Sequence, residues 1–191
     1  MSRRRVLISG AMGRMGERLR ALLAEDGELA LAAALERPGH PAVGQALADD
    51  VRLTDDPAAA LDAAEIAIVF ANPAGTLDLL RAAAKAGVPC VVGTTGFSPE
   101  DRKEIEALAS RLPMVLAANF SVAVNVLFHV ARESARLLGA GYDAEIVEVH
   151  HAAKVDAPSG TALRLAEAIA EGRDAAERRF VLSREGETGA R

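Results

Sequence analysis

Short apolar runs alternate with longer segments that are apolar on one helical face, from residue 5 to about residue 118. The short runs are nearly unbroken, which is typical of parallel strands covered by helices on both faces, whereas a half-exposed strand would alternate. A crossover helix between successive strands predicts a doubly wound, Rossmann-like parallel α/β sheet. The predicted strands are residues 6–9, 29–35, 66–70, 90–92 and 114–117.

The segments between these strands carry helical signals. Met15, Leu19 and Leu23 recur at the spacing of one helix face. Ser98 followed by Pro99 predicts the capped start of a charged helix that runs to about residue 111.

The pattern changes after residue 118. A long amphipathic helix is predicted there, ending at Gly139-Ala140-Gly141. It is followed by a predicted strand at 143–149, a helix at 160–171 and a strand at 179–183. We therefore expect a dinucleotide-binding domain at residues 1–118 and an incomplete α+β substrate domain at residues 119–191.

Composition narrows the class of protein. The 191 residues are 50% hydrophobic with a net charge of -5 and no basic stripe, which argues against a nucleic-acid partner. The three arginines at the N-terminus precede an apolar run too short for a signal peptide, and no run approaches the roughly 20 residues of a membrane span. Cys90, in an apolar run, predicts a buried structural thiol. We expect a cytoplasmic protein.

The first predicted strand leads into a glycine-rich turn. Gly10, Gly13 and Gly16 form a G-x-x-G-x-x-G variant before the first helix. Glycines here allow a tight turn and close approach of the backbone to a pyrophosphate, which the helix N-terminus also favours. A glycine triplet alone also fits a simple strand-to-helix turn, but its placement after strand one favours a dinucleotide site.

Two charged residues follow the second predicted strand. The Glu36 carboxylate is placed to accept hydrogen bonds from the ribose hydroxyls of NADH, and the Arg37 guanidinium is placed to bind the 2′-phosphate of NADPH. The alternative, a solvated turn, is weaker for a pair at this position. The sequence therefore predicts that both cofactors are used.

A second constellation lies in the polar segment 148–162, which contains Glu148, two histidines, a lysine and Ser-Gly-Thr at a predicted helix start. Lys154 and the helix N-terminus would favour a carboxylate, and a histidine can supply a proton. A zinc site is poorly supported, because His40 and His129 stand in a loop and a helix without further ligands at suitable spacing. We predict no metal and a small anionic substrate.

Segment 148–162, with the glycine loop, Glu36-Arg37, 93–97 and 117–121, resembles the 4-hydroxy-tetrahydrodipicolinate (dihydrodipicolinate) reductase family over nearly the whole chain. The resemblance implies reduction of 4-hydroxy-tetrahydrodipicolinate to tetrahydrodipicolinate by hydride transfer from NADPH or NADH, in lysine and diaminopimelate biosynthesis. It also implies a cytoplasmic homotetramer that binds a cyclic imine dicarboxylate.

The resemblance also implies roles for individual residues. His150 would be the general acid and Lys154 the second catalytic residue, while His151, Gly160 and Thr161 would bind the substrate carboxylates. The residues implied to hold the dinucleotide are Gly10, Ala11, Met12, Gly13, Arg14, Met15, Glu36, Arg37, Gly93, Thr94, Thr95, Ala117, Ala118, Asn119 and Phe120.

The chain departs from the family at two places. Where members usually show Asp-Phe-Thr/Ser-x-Pro, this chain has Val69-Phe-Ala-Asn-Pro73, so no hydroxyl or carboxylate contact to the cofactor is expected there. Segment 183–191 resembles a loop partway through the family's substrate domain. We therefore expect a fragment whose part after about residue 140 is less stable, and whose own activity is open. The alternatives are a related imino- or amino-acid dehydrogenase and a non-catalytic dinucleotide-binding protein.

Overall fold

A seven-stranded sheet is formed by the described residues of the computed structural model, which are 3–48, 50–150, 152, 158–173 and 181. The chain divides into two compact units, Met1–Ala117 and Ala118–Arg191, and the first contains the sheet. Its strands are β1 (Arg4–Ser9), β2 (Leu29–Leu35), β3 (Ala46–Ala48), β4 (Val51–Thr54), β5 (Ile66–Val69), β6 (Cys90–Val92) and β7 (Met114–Leu116).

The strand order is β3-β4-β2-β1-β5-β6-β7. β3 pairs antiparallel with β4, and every other pairing is parallel. Without β3, the six parallel strands follow the doubly wound order. The chain builds one half of the sheet outwards from β1 to β4 and the other half from β5 to β7, so the strand order reverses where β1 and β5 lie side by side. The predicted fold is confirmed, with β3 and β4 as additions to the five predicted strands.

The helices of the first unit have clear start signals. α2, α3 and α4 each begin with a proline, whose missing N–H costs nothing in the first turn. Ser98 caps α4 as predicted and forms a reciprocal capping box with Asp101. The bounds are α1 (Arg14–Glu25), α2 (Pro57–Asp62), α3 (Pro73–Ala86) and α4 (Pro99–Ala109).

Alternate residues of β1 supply the two apolar cores that hold the sheet between helices. Leu7 faces one cluster with Leu79, Leu80 and other residues of α3 and α4. Val6 and Ile8 face the other. All three β1 side chains have no exposed surface. This burial on both faces is the reason for the unbroken apolar runs in the sequence.

The second unit contains α5 (Val122–Leu138), a short 3-10 turn (Gly139–Gly141) and α6 (Gly160–Gly172) among its described residues. The two helices pack closely, since a Cβ on Gly172 would lie 2.1 Å from the Arg132 carbonyl oxygen. Both predicted helices are confirmed.

The strand predicted at residues 143–149 is wrong, because the structure gives this segment no regular secondary structure. Val147 and Val149 are 87% and 92% exposed, so apolar burial of these side chains does not stabilise a strand, and no other described segment pairs with this one. The strand predicted at 179–183 lies outside the described residues, apart from residue 181.

Candidate functional site

The turn between β1 and α1 depends on glycine. Gly10 adopts φ +77°, and a Cβ there would lie 2.3 Å from the Phe70 carbonyl oxygen. The N–H groups of Gly10 and Ala11 donate to the Leu35 carbonyl at 3.0 and 3.2 Å, which fixes the turn against β2. Only glycine combines this conformation with such close backbone approach.

The N-terminus of α1 is open towards this turn. Gly13 occupies the cap position without a side-chain hydrogen bond, so no cap side chain covers the first N–H groups of the helix. Gly16 brings the helix close to the turn, because a Cβ there would lie 2.2 Å from the Gly10 carbonyl oxygen. The result is a backbone cradle of the kind that accepts a phosphate.

Glu36 lies directly beyond β2 and reaches back to the glycine loop. Its Oε1 accepts from the Met12 N–H at 3.1 Å, and its Oε2 accepts from the Arg37 N–H at 3.1 Å. The Arg37 side chain is exposed. The carboxylate is thus held in place by the backbone, while the guanidinium beside it is accessible to an anion.

A cavity of about 480 Å³ opens where β1, β2, β4 and β5 end. Of the residues predicted to bind cofactor, Gly10, Gly13, Glu36 and Arg37 line it. The residues that sequence reasoning did not place there are Ser9, Leu35, Pro38, Asp55, Pro57, Phe70, Ala71, Asn72, Ala74, Gly75, Asp78 and Leu79. The signal for Asp55 and Phe70 was their position directly after strand ends, where ligands bind in open α/β sheets.

Other predicted cofactor residues of the first unit lie outside the residues that line this cavity. The Thr94 hydroxyl is buried, donates to the Ala71 carbonyl at 3.0 Å and lies 2.8 Å from the Thr76 hydroxyl. Gly93 leaves room for the Phe70 ring, and Thr95 is exposed. A contact from Thr94 to a cofactor would therefore come from its backbone. The other predicted residues not lining the cavity are Ala11, Met12, Arg14, Met15 and Ala117.

In the second unit, Glu148 connects His150 to the start of α6. The Glu148 Oε2 lies 2.6 Å from His150 Nε2 and 2.5 Å from the Ser159 hydroxyl, and its Oε1 accepts from the Ser159 N–H at 2.9 Å. The hydrogen bond with His150, followed by those from Ser159, lowers the pKa of Glu148 to about 2. The carboxylate is therefore ionised near neutral pH and can only accept hydrogen bonds from its partners.

The starts of α5 and α6 are joined by Asn119. Its amide nitrogen donates to the Thr161 hydroxyl oxygen at 3.2 Å, and its Oδ1 accepts from the Ser121 N–H at 2.8 Å. Because Thr161 Oγ1 accepts this bond, its own proton is available to an acceptor. Gly160 is the first residue of α6, and the nearby Ala118 and Phe120 are exposed.

His151 and Lys154, both predicted to act on substrate, lie outside the described residues. No group of three or more metal-binding side chains occurs within the described part of the chain. None of its described helices is long and apolar enough to cross a membrane.

The doubly wound sheet and its glycine-lined cavity define a dinucleotide-binding α/β protein. The family models for the N-terminus and C-terminus of dihydrodipicolinate reductase match residues 4–120 and 123–190. The chain belongs to the dihydrodipicolinate reductase family, as the sequence predicted.

Curated relatives agree with this membership. The 4-hydroxy-tetrahydrodipicolinate reductase of Thiobacillus denitrificans is 48% identical over 98% of this chain and 73% of its own length. The enzyme of the same name from Nitrosomonas europaea is 44% identical over 97% of this chain and 72% of its own length.

A solved structure shows the same relation. The dipicolinate-bound dihydrodipicolinate reductase of Paenisporosarcina sp. TG-14 matches with a TM-score of 0.73 and 25% identity, covering 100% of this chain and 74% of that one. A probable dehydrogenase from Thermotoga maritima matches at TM-score 0.50 and 16% identity over 70% of this chain and 40% of its own, which shows the fold alone.

Proposed function

We propose that this chain reduces 4-hydroxy-tetrahydrodipicolinate to tetrahydrodipicolinate with NADPH or NADH, as a step in lysine and diaminopimelate biosynthesis. One observation carries the proposal: a chain of this family combines a glycine-lined dinucleotide cavity with a histidine held by a carboxylate at a helix start. The first feature suits a nicotinamide cofactor, and the second suits proton transfer to a carboxylate-bearing substrate.

The cofactor would be bound by backbone and charge. The close approach at Gly10 and Gly16 leaves a cradle that a Cβ would fill, and the uncapped start of α1 would receive the pyrophosphate. Glu36 would accept hydrogen bonds from the ribose hydroxyls, and Arg37 would pair with a 2′-phosphate. The predicted contacts from Ala11 to Met15, Gly93 to Thr95 and Ala117 to Phe120 belong to the same proposal.

The substrate would be bound through its carboxylates at the start of α6. Gly160 and the free proton of Thr161 offer donors there, and the helix dipole favours a negative charge. His151 and Lys154 are proposed to add positive charge, which holds a carboxylate and stabilises negative charge that develops in the transition state.

His150 is the proposed proton donor. A bound nicotinamide would supply a hydride to one carbon of the conjugated double bond that forms when the 4-hydroxyl group and a proton of the adjacent ring carbon leave as water. His150 would protonate the other atom of that double bond, so that the net reaction consumes one hydride and one proton and releases one water. The carboxylate of Glu148 bonds the imidazole at Nε2 and so orients it for this role.

The test measures substrate-dependent oxidation of NADPH and NADH. The oxidation is monitored as the loss of the absorbance of the reduced nicotinamide. It is run on the chain and on a chimera that carries, in addition, the part of the Thiobacillus denitrificans relative outside the matched region. His150→Gln should lower kcat by roughly 10²–10⁴-fold with little change in KM, the usual effect of losing a positioned acid. Lys154→Ala should both lower kcat and raise KM. Wild-type kcat in His150→Gln would refute the proton-donor role.

We also propose that the protein works in the cytoplasm as a homotetramer without nucleic-acid or membrane partners. The family relation supports the assembly, and the balanced charge of the chain supports the absence of a polyanionic partner. Sedimentation equilibrium of the chain and the chimera tests the assembly, and a monomer in both would reject it.

A further inference from the structure

The segment that carries His150 is not held by regular secondary structure. Residues 143–150 form no helix or strand, and the flanking Val147 and Val149 are almost fully exposed. Apolar packing by these neighbours therefore does not fix the imidazole. A proton donor nevertheless has to be held within a fraction of an ångström of its productive position.

Glu148 anchors the part of this segment that carries His150. Both of its oxygens are bonded to Ser159, and Oε2 also bonds the His150 ring at 2.6 Å. Ser159 is itself fixed, because it is 7% exposed and its hydroxyl accepts from the Ala162 N–H as the cap of α6. The imidazole is thus connected through one carboxylate to a rigid helix start.

The direction of these hydrogen bonds determines the state of the ring. An ionised carboxylate can only accept, so the bond at Oε2 requires a proton on His150 Nε2. The lowered pKa of Glu148 agrees with an ionised acceptor. In a neutral imidazole, the other nitrogen, Nδ1, then carries the lone pair. In the imidazolium both nitrogens carry protons, but only the Nε2 proton is engaged by Glu148.

We propose that Glu148 is a positioning residue that holds His150 by Nε2, so that Nδ1 is the atom that delivers the proton to the substrate. The inference rests on the proposed role of His150 as the acid. Loss of the Nδ1 proton leaves a neutral ring whose Nε2–H bond to Glu148 is intact, whereas loss of the Nε2 proton would break that bond. The Nδ1 proton passes to the substrate, and solvent restores it after turnover.

Glu148→Gln tests the proposal because it keeps the shape and removes the charge. Three donors, the Ser159 N–H, the Ser159 hydroxyl and His150 Nε2, converge on the two carboxylate oxygens. An amide offers one acceptor oxygen and an NH₂ group, so a His150 Nε2 that faces the NH₂ group can only accept, which is the role of the other tautomer. We expect kcat to fall roughly 10–100-fold, the range found when a partner that orients a histidine is lost. NADPH affinity should not change.

The tautomer of His150 is the measurement that separates positioning from a purely structural role, because a purely structural role would not change it. Nitrogen-15 NMR of the ring nitrogens at alkaline pH, assigned by comparison with His150→Gln, should show the proton on Nε2 in the unaltered chain. Glu148→Gln should give a mixture of tautomers. Glu106→Gln is the charge-matched control, since this exposed residue of α4 lies in the other unit, and it should leave the His150 signals unchanged.

The outcomes separate this inference from the proposed function. A proton on Nδ1 in the unaltered chain overturns the proposal, and this measurement does not require any variant to fold. If His150→Gln loses turnover but Glu148→Gln keeps both the wild-type kcat and the single tautomer, the positioning role fails and the acid role stands. If His150→Gln retains turnover, both fail. Circular dichroism and NADPH binding establish that each variant has folded.

Discussion

Replacing Gly16 by alanine tests whether the close packing of α1 on the glycine turn builds the dinucleotide site. A Cβ at this position would lie 2.2 Å from the Gly10 carbonyl oxygen and 2.7 Å from two backbone atoms of Ala11. These obstructing atoms belong to a buried turn, and no side chain can rotate aside. α1 would have to move by about 1 Å to restore ordinary contact distances.

Two opposing effects set the size of the change. Alanine stabilises a helix relative to glycine by at most about 1 kcal/mol. An extra methyl group in a packed site costs about 1–3 kcal/mol, and backbone obstruction favours the upper end of that range. We therefore expect Gly16→Ala to lower the free energy of unfolding by about 1–2 kcal/mol. NADPH binding should weaken roughly tenfold, because the shift moves the α1 N–H groups away from the pyrophosphate.

Gly27→Ala is the matched control, since no heavy atom lies within 4 Å of the position that a Cβ would occupy there and its φ is not in the left-handed region. Its stability should stay within about 0.5 kcal/mol of the unaltered chain. Urea unfolding followed by circular dichroism gives the stability, and calorimetric titration gives the affinity for NADPH. Equal unfolding midpoints and equal NADPH affinities for the two variants would show that the close approach at Gly16 contributes neither to stability nor to cofactor binding.

Three further predictions address charge and burial. Arg37→Ala should weaken NADPH binding roughly tenfold or more and leave NADH nearly unchanged, because only NADPH carries the 2′-phosphate; equal losses in calorimetry would indicate a structural role. Burial raises the pKa of Cys90 to about 12, so the folded chain should resist a thiol-specific disulfide reagent that reacts fully in denaturant, and fast labelling of folded protein would contradict this. The contacts of ionised Glu148 should be present above its usual pKa of 4.5 and be lost only as pH falls towards about 2. The Ser159 amide resonance should report that loss, and a midpoint near 4.5 would contradict it.

The parallel strands of the sheet could be predicted because burial on both faces leaves a continuous apolar run in the sequence. β4 escaped prediction because only Val51 and Leu53 are buried along its four residues, with exposed Arg52 between them. A run of this length resembles many loops. β3 is shorter still, and its Ala46 and Ala48 are exposed. Both strands are formed by their neighbours in the sheet more than by their own sequence.

The dinucleotide site was predicted from local sequence signals. The lining residues that were not predicted are those that reach the cavity through tertiary contacts. Gly10, Gly13, Glu36 and Arg37 lie within two short segments, each directly after a strand. Asp55 and Asn72 come to the same cavity only because β4 and β5 lie on either side of the β2–β1 pair. The buried position of the Thr94 hydroxyl was likewise not predictable locally, because its hydrogen-bond partners lie about twenty positions away in the chain.

The wrong strand at residues 143–149 and the contact between Glu148 and His150 have a common physical origin. Side chains two positions apart in an extended segment share a face, so the same pattern that predicted a strand also places Glu148 beside His150. A strand needs a hydrogen-bonding neighbour, which the described residues do not supply, and the prediction therefore failed. The pairing needs only the two side chains and an anchor, which the start of α6 supplies through Ser159. Local spacing thus predicts which side chains can contact each other. Whether the segment becomes a strand or part of a binding site depends on the element that packs against it.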